Sequence, residues 1–302
     1  MQPKLSVPVA DALASGRAVV ALESTIFSNL GLPSPANADA LERCLEAIAS
    51  RGAVPAVTAV LDGVVRLGLE ADEHERILGN ARKAAERDIP VAVGQRWEFG
   101  ATTVSASVAI AAAAGVTVFA TGGLGGVHRG AEATGDVSAD LDALARHCIV
   151  AVSAGAKAFL DLPRTLEYLE TMGVPVLGWQ HDWFPAFYTR SSGLAIPHRV
   201  ESADEVARIA ASLTRSQSGM LLTVPIPEAD ELDASHLDEV LAGALAECEA
   251  QGVTGAAITP FVLGRIGEAT EGRSIPANLS LAENNAKVAA DVAVAIAALA
   301  AG

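Results

Sequence analysis

The sequence predicts a layered α/β fold built as one domain. Short apolar, β-branched runs alternate with amphipathic segments of helical length over all 302 residues. Apolar residues make up 51% of the chain and aromatic residues only 4%, a composition typical of buried strands covered by helices. No fixed-period repeat, low-complexity tract or long linker divides the chain, so we expect a single domain over residues 1–302.

Apolar runs bounded by turn residues predict the strands, and 3.6-residue periodicity predicts the helices. Asp62-Gly63 is typical of a tight hairpin turn between two of these strands. The predicted strands are 18–22, 54–61, 64–67, 90–93, 116–119, 148–152, 174–177 and 220–224. The predicted helices are 37–50, 73–87, 100–114, 139–146, 164–172, 203–213, 234–251, 260–271 and 278–300.

Charge and composition exclude several classes of partner. A formal net charge of −15 argues against nucleic-acid binding, because phosphate backbones are bound by clustered Lys and Arg. The three cysteines are scattered, as in a reduced cytosolic protein. The N-terminus lacks the apolar core of a signal peptide, and the Ala-rich run 292–301 is too short to span a bilayer. We therefore expect a soluble, cytoplasmic protein with no membrane partner.

The segment 116–140 combines a strand with a glycine-rich loop. Five glycines lie within nine residues, at positions 122, 123, 125, 126 and 130, beside His128, Arg129 and Asp136. The spacing is wrong for a dinucleotide fingerprint, because the third glycine of G-x-G-x-x-G would fall at His128. Glycines chosen for packing are one interpretation; a ligand-binding loop is the one we favour.

Two further stretches indicate a ligand without deciding its nature. Thr102-Thr103 precedes a helix whose free N–H groups could bind an anion or could simply be capped. Asp136 to Asp140 could be a capped helix start, or Asp136 could be an oxygen ligand for Mg²⁺ or Mn²⁺. The residues alone leave both choices open.

Glu23 and Lys157 are candidate reactive groups because each follows a buried strand. Glu23 could be a general acid or a surface carboxylate. Lys157 lies among apolar residues, where burial favours the neutral, nucleophilic amine, although a lysine extended to solvent is the commoner case. Lys83 looks like part of a solvated helix face, and Trp97 and the aromatic segment 179–188 look like core or interface packing.

Several motifs together resemble the pseudouridine-5′-phosphate glycosidase family, also called indigoidine synthase A-like. They run from residue 21 to residue 285: Ala21-Leu-Glu-Ser-Thr-Ile26, Gly100-Ala-Thr-Thr-Val104, Phe119-Ala-Thr-Gly-Gly-Leu-Gly-Gly-Val-His-Arg-Gly-Ala-Glu132, Ala154-Gly-Ala-Lys157, Leu166-Glu-Tyr-Leu-Glu-Thr171, Thr259-Pro-Phe261 and Asn284-Asn285.

The resemblance implies a mixed-sheet α/β/α sandwich, a homotrimer, and reversible cleavage of pseudouridine 5′-phosphate to uracil and ribose 5-phosphate. Lys157 then matches the family's imine-forming (Schiff-base) lysine, Glu23 its proton donor and Asp136 its Mn²⁺ ligand. The positions that match substrate-binding residues are Lys83, Val104, Ser138, Ala139 and Asp140, with His128 and Asn284 at further active-site positions.

The chain departs from the family pattern in two loops. Asn29-Leu-Gly-Leu-Pro33 replaces a His-Gly-Met-Pro sequence, and Gly94-Gln-Arg-Trp-Glu-Phe99 replaces a smaller Asn/Gly-rich loop. Relatives on this scaffold make C-ribosides of aromatic acceptors, and Trp97 and Phe99 would suit a larger flat acceptor. A C-glycosynthase acting on a non-uracil acceptor is therefore the alternative function.

Overall fold

The computed structural model describes residues 2–213, 218–253 and 258–301. At Thr259 and Pro260 it describes the backbone only, so the side chains of that predicted motif lie outside the described residues.

The described strands join in a single mixed sheet, which confirms the predicted fold class. Its order is β1-β4-β3-β2-β7-β8-β11-β9-β10, with β6 paired to β3 and β5 paired to β6. Pairing is parallel from β3 through β10, whereas β4 and β6 run antiparallel to β3. The strands are β1 Lys4–Leu5, β2 Val19–Leu22, β3 Val54–Leu61, β4 Val64–Leu67, β5 Arg82–Ala84, β6 Phe99–Thr102, β7 Val118–Ala120, β8 Val150–Ser153, β9 Val176–Trp179, β10 His198–Val200 and β11 Met220–Thr223.

Helices cover both faces of the sheet. The chain passes from β2 to β3 in one direction and from β7 to β8 in the opposite one, so right-handed crossovers place α2 and α7 on opposite faces. The helices are α1 Val7–Ala14, α2 Ala36–Ala49, α3 His74–Ile77, α4 Ile89–Gly94, α5 Val104–Ala113, α6 Ala131–Thr134, α7 Ala139–Arg146, α8 Leu162–Thr171, α9 Ala203–Ser212, α10 Ala234–Ala250, α11 Ile258–Ala269 and α12 Ser274–Ala301. α12 packs on α2 and α9, and α5 packs on α7.

The central strands are buried on both faces. Every residue of β2, β7, β8 and β11 is buried, as expected of parallel strands covered by two helical layers. α5 is buried around most of its circumference and is built mainly of small residues, Ala, Ser and Val with one Ile, which allow it to lie close to the sheet.

Three predicted elements were wrong, all between residues 73 and 102. The predicted helix 73–87 is replaced by the short α3 and by β5, which pairs with β6 from Arg82 to Ala84. The predicted strand 90–93 is α4, with Pro90 in its first turn. The predicted helix 100–114 begins only at Val104, because Phe99–Thr102 pair with β3 and β5 as β6.

α12 is longer than the Ala-rich run suggested. Its 28 residues are long and apolar enough to cross a membrane by length and composition alone. However, it packs against α2, α9 and the strands β2, β7 and β8, and it carries ion pairs from Lys287 and Asp291. It is therefore a core helix of this fold.

Candidate active site

The candidate site lies at the carboxyl ends of the central parallel strands. The strand order reverses between β2 and β7, which is the point where open α/β sheets bind ligands. Glu23 follows β2 directly and Thr121 follows β7 directly. Lys157 follows the neighbouring strand β8, so the two candidate reactive groups reach the same edge of the sheet.

Glu23 is half-buried, and its carboxyl accepts a hydrogen bond from the Thr121 hydroxyl. Burial raises the pKa of Glu23, and the Asp140 carboxylate adds to this effect. The Thr121 hydrogen bond and the ammonium groups of Lys157 and Lys83 act in the opposite direction. The net result is an acid that keeps its proton to a higher pH than a solvated glutamate.

Lys157 is held by a tightly packed loop. Its N–H donates to the Leu124 carbonyl at 3.1 Å, and Ala156 bridges to Leu124, which joins this loop to the glycine loop. Gly155 has a φ of +73°, and a Cβ at this position would overlap with the Pro185 carbonyl. The loop can therefore present a half-buried lysine only with glycine two residues before it.

Lys83 reaches the site from β5, where it pairs in register with Ala101 of β6. Loss of hydration, followed by the nearby Lys157 ammonium, lowers the pKa of Lys83, while Asp140, Glu23 and Asp136 oppose this effect. The structure thus brings Lys83 into the same electrostatic environment as both candidate reactive groups. Periodicity alone predicts a solvated helix face; Lys83 is indeed exposed, but it lies on a strand.

The glycines of the loop serve close packing. A Cβ at Gly123 would overlap with the Phe187 ring, and one at Gly126 would overlap with the Thr165 side chain. A Cβ at Gly125 would overlap with Ser138. The packing interpretation thus accounts for these glycines. Their close contacts hold the loop against the neighbouring segments, where it forms one wall of the site.

Asp140 joins three elements at the site. One carboxylate oxygen accepts from Ser105 N–H at the start of α5, and the other accepts from Gly125 N–H in the glycine loop, both at 3.0 Å. Ser138 caps α7 by accepting from Asp140 N–H at 3.2 Å. Two further predicted substrate-binding residues flank this junction, Val104 being buried at the start of α5 and Ala139 exposed at the start of α7.

Asp136 and His128 face each other beside this junction. The Asp136 carboxylate lies 3.8 Å from His128 Nδ1, and His128 N–H donates to the Asp136 carbonyl at 3.0 Å. Burial lowers the pKa of His128, with Asp136 acting in the opposite direction. Among the described residues, no group of three or more His, Cys, Asp or Glu side chains could hold a metal. Asp136, whose side chain is 38% exposed, fits the donor set of a divalent ion held by one carboxylate and waters.

The Asn284-Asn285 pair approaches from α12, with its two members in different positions. Asn285 is fully buried and donates to the Thr121 carbonyl at 2.8 Å and the Gly122 carbonyl at 3.2 Å. Asn284 is half-buried and donates to the Pro225 carbonyl at 3.3 Å. Asn285 therefore holds the end of β7.

A buried hydroxyl network, which the sequence analysis missed, supports the strand end that carries Glu23. The Thr102 hydroxyl lies 3.0 Å from that of Ser24 and 2.8 Å from that of Thr58. Thr58 also bonds to Ser107 at 2.7 Å and to the Leu22 carbonyl at 3.0 Å. The motifs around Glu23 and Thr102 are thus two halves of a single polar cluster.

The aromatic residues proposed to suit a flat acceptor are buried elsewhere. Trp97 and Phe99 are only 8% and 6% exposed, and the Arg82 guanidinium covers the Trp97 ring at 3.6 Å. Their loop packs on the hairpin turn, since Gly63 N–H donates to the Trp97 carbonyl at 3.0 Å. That part of the prediction was wrong. β6 runs antiparallel to β3, so its first residue, Phe99, lies near the hairpin. Only its last residue, Thr102, reaches Ser24 beside the site.

The second altered loop lies nearer the site. Asn29 accepts from Ala81 N–H at 2.9 Å, and its own N–H donates to the Gly79 carbonyl at 3.3 Å. These bonds join the loop after Glu23 to the segment that leads into β5 and Lys83.

The sheet carries a half-buried acid, two converging lysines and neighbouring carboxylates at its switch point. Together they define an enzyme-like site for an anionic small molecule. The family model described as "Indigoidine synthase A like protein" matches residues 8–295. The chain belongs to this family.

Relatives with assigned activities match over almost the whole chain. A pseudouridine-5′-phosphate glycosidase of Sorangium cellulosum is 47% identical over 299 residues, covering 98% of this chain and 94% of that protein. One from Chloroflexus aurantiacus is 48% identical, covering 98% and 99% of the two chains.

Solved structures share the fold. The prealnumycin C-glycosynthase AlnA, determined in complex with ribulose 5-phosphate, superposes with a TM-score of 0.91 at 36% identity, covering 100% of this chain and 99% of AlnA. An indigoidine synthase A-like protein from Thermotoga maritima gives a TM-score of 0.85 at 34% identity, with coverages of 93% and 94%.

Proposed function

We propose that this protein is a pseudouridine-5′-phosphate glycosidase, which cleaves the C–C glycosidic bond reversibly to uracil and ribose 5-phosphate. The observation that carries the proposal is that the charges of Glu23, Lys83 and Lys157 interact with one another, although the three residues come from different parts of the sheet. Relatives of that name, 47–48% identical over nearly the whole chain, support it.

The chemistry requires a nucleophilic amine and an acid. A carbon leaving group is poor, so the carboxylate pair that serves O-glycosides would not suffice. The neutral Lys157 amine attacks the anomeric carbon while Glu23 protonates the ring oxygen, so the C–O bond breaks, the sugar opens and Lys157 is joined to that carbon through a C–N single bond. The nitrogen then gives up a proton, and its lone pair forms the imine as the C–C bond breaks; uracil leaves with the bonding electron pair and takes up a proton, and water hydrolyses the imine to free Lys157 and release ribose 5-phosphate. In the reverse direction the imine carbon accepts electron density from the uracil carbon as the C–C bond forms. The raised pKa of Glu23 suits the acid role because the carboxyl keeps its proton to a higher pH than a solvated glutamate.

The remaining site residues bind and orient the substrate. Lys83 supplies a cation to the anionic substrate, and the junction of Val104, Ser138, Ala139 and Asp140 forms the adjoining wall. His128 and Asn284 complete the set, beside Asp136 and at the end of α12, respectively.

We also propose Mn²⁺ as the cofactor, with Asp136 as its protein ligand. Bound there, the ion would supply positive charge to substrate oxygens. Chelation should abolish turnover and Mn²⁺ should restore it, while Asp136→Asn should bind Mn²⁺ more weakly by calorimetry. Full activity in the chelated protein would contradict this assignment.

The activity test is direct. Incubation with pseudouridine 5′-phosphate and Mn²⁺ should release uracil, followed by the change in absorbance as the C-riboside is lost. No turnover from a folded, metal-saturated preparation would refute the proposed function.

Covalent trapping tests the imine separately. Borohydride with ribose 5-phosphate should give a stable adduct on Lys157, located by peptide mass spectrometry, and Lys157→Ala should abolish it. Lys4→Ala, at an exposed lysine of β1, is the matched control and should keep the adduct. Absence of an adduct in the wild type would instead favour a protein that binds sugar phosphates without reacting with them.

The second candidate is a C-glycosynthase that joins ribose 5-phosphate to a non-uracil aromatic acceptor. The full-length likeness to AlnA favours it, whereas the burial of Trp97 and Phe99 removes one of the two loop changes that suggested it. Competition between uracil and a polycyclic acceptor for ribose 5-phosphate distinguishes the two functions. We expect uracil to be preferred.

We further propose that the protein acts in the cytoplasm as a homotrimer. The trimer rests on the family resemblance, and the cytoplasmic location rests on the three scattered cysteines, which are typical of a reduced cytosolic protein. Light scattering coupled to size-exclusion chromatography should give three times the 30.7 kDa chain mass, and a monomer would contradict the assembly.

A further inference from the structure

The hydrogen bond from Thr121 to Glu23 bears on where the Glu23 proton lies as well as on the pKa of the carboxyl. Within the described residues, Thr121 is the one side chain that hydrogen-bonds to the Glu23 carboxyl, and it donates to Oε1. An oxygen that accepts this hydrogen bond is the less available one for the acid's own proton. We propose that Thr121 is a positioning residue that keeps the Glu23 proton on Oε2, ready for transfer to the ring oxygen of the sugar.

The backbone of Thr121 is fixed from two sides. Its N–H donates to the Val152 carbonyl of β8 at 3.0 Å, and its carbonyl accepts from Asn285 of α12 at 2.8 Å. The residue is 5% exposed. A β-branched side chain on a fixed backbone has few χ1 states, so its hydroxyl has a defined direction. Asn285 thereby supports the acid through Thr121.

The surroundings leave Thr121 little competition from water. A small cavity of about 10 Å³ borders Glu23 and Thr121. Its remaining lining is apolar or weakly polar: Leu22, Ile26, Phe27, Cys44, Ala120, Gly122 and Ala282. A space of this size holds one water molecule at most, and apart from Glu23 and Thr121 its side chains offer no strong hydrogen-bonding partner.

The charged groups around Glu23 fix the direction of the expected change. Lys157 from the loop after β8 and Lys83 from β5 favour the carboxylate, whereas Asp140 from α7 favours the neutral acid. Cys44 of α2 faces the cavity as a neutral thiol, because burial raises its pKa to about 12. The Thr121 hydroxyl favours the carboxylate, so its removal must raise the pKa of Glu23 further.

The proposal is tested first without substrate. The side-chain carboxyl of Glu23 is titrated by carbon-13 NMR in the wild type, Thr121→Val and Thr121→Ser, with Glu23→Gln assigning the signal. The near-isosteric valine should move the Glu23 titration to higher pH, and serine should leave it close to the wild type. An unmoved titration in Thr121→Val would overturn the proposal. Because no turnover is needed, this result is independent of the proposed function.

The catalytic consequence rests on the proposed function and is tested by pH–rate profiles. Thr121→Val should lower kcat by roughly tenfold or more, because a general acid contributes rate only when aligned. The high-pH limb, where Glu23 loses its proton, should move to higher pH, and Thr121→Ser should restore rate and limb together. A loss of rate with the limb unmoved, or no rescue by serine, would reduce Thr121 to a structural residue. An inactive wild type would refute the glycosidase assignment, while the NMR result would still stand.

Discussion

Glu23 lowers the stability of the folded protein when its carboxyl is ionised. Burial is the largest influence on its pKa and disfavours the carboxylate, while the Thr121 hydrogen bond and the two lysines compensate only in part. The folded protein therefore binds the Glu23 proton more tightly than the unfolded chain does. Such a group contributes stability that is fully present below its unfolded pKa and is lost as the pH rises through its folded pKa.

The loss of stability as Glu23 ionises gives a prediction for Glu23→Gln. Glutamine stays neutral at every pH, so the variant should be more stable than the wild type at pH 8, with a higher Tm. The difference should shrink as the pH falls toward the unfolded pKa of about 4.5. Thermal unfolding of both proteins across this range is the measurement. A variant less stable than the wild type at pH 8 would show that the lysine interactions outweigh burial.

Local pattern identifies some site residues and misses others. Glu23 and Lys157 stand out because each polar group directly follows an apolar run. Lys83 does not, because its three-residue strand lies in a charged, Ala-rich stretch of high helix propensity and exists only through pairing with β6. The family motif predicts Lys83 as a substrate-binding residue, whereas periodicity alone predicts a helix where the structure has β5. Thr121 lay within a quoted motif, but its contact with Glu23 joins residues 98 positions apart and could not be read from spacing.

Among the elements, those with a clear local signal were predicted well, and those whose state depends on a distant partner were not. The helix predicted at 139–146 begins and ends where α7 does, and the hairpin of β3 and β4 matches its prediction. The errors cluster where β6 inserts beside β3. There the choice between helix and strand depends on a tertiary partner, and sequence-local propensity gives no information about that partner.

The first turn of α7 offers a test of how elements are joined. Asp140 accepts one N–H from α5 and one from the glycine loop. Asp140→Asn replaces one acceptor oxygen with a donor that faces another donor, so we expect destabilisation of about 1–3 kcal/mol in urea unfolding. The amides of Ser105 and Gly125 should also exchange faster with solvent.

Asp142→Asn is the matched control in the same turn. It removes the same charge from the helix N-terminus, but its side chain is 46% exposed and pairs with Arg146 at the surface. Such a pair contributes about 0–1 kcal/mol. Equal losses in the two variants would mean that Asp140 acts through the helix dipole and that its hydrogen bonds to the neighbouring elements contribute nothing further.

At the scale of the whole molecule, α12 links the two halves of the sheet. It contacts β2 on one side of the switch point and β7 and β8 on the other, and it packs on α2 and α9. Arg51 of the α2–β3 turn also pairs with Asp291 of α12 at 2.6 Å. The absence of long linkers in the sequence predicts one domain. The order of the strands, on which the shared core depends, cannot be predicted from any local sequence pattern.

A shared core predicts that both halves unfold together. Trp97 reports on the first half of the chain, and Trp179, at the end of β9, reports on the second. A Trp97→Phe variant leaves only the reporters of the second half, and a Trp179→Phe/Trp183→Phe variant leaves only Trp97. In urea, the fluorescence midpoint of each variant should equal the midpoint from far-UV circular dichroism of the same protein. Coincident transitions indicate one cooperative unit. A chain of this length can populate intermediates, so the outcome is informative. Separate midpoints for the two reporters would show that α12 does not couple the halves and that the chain behaves as two folding units.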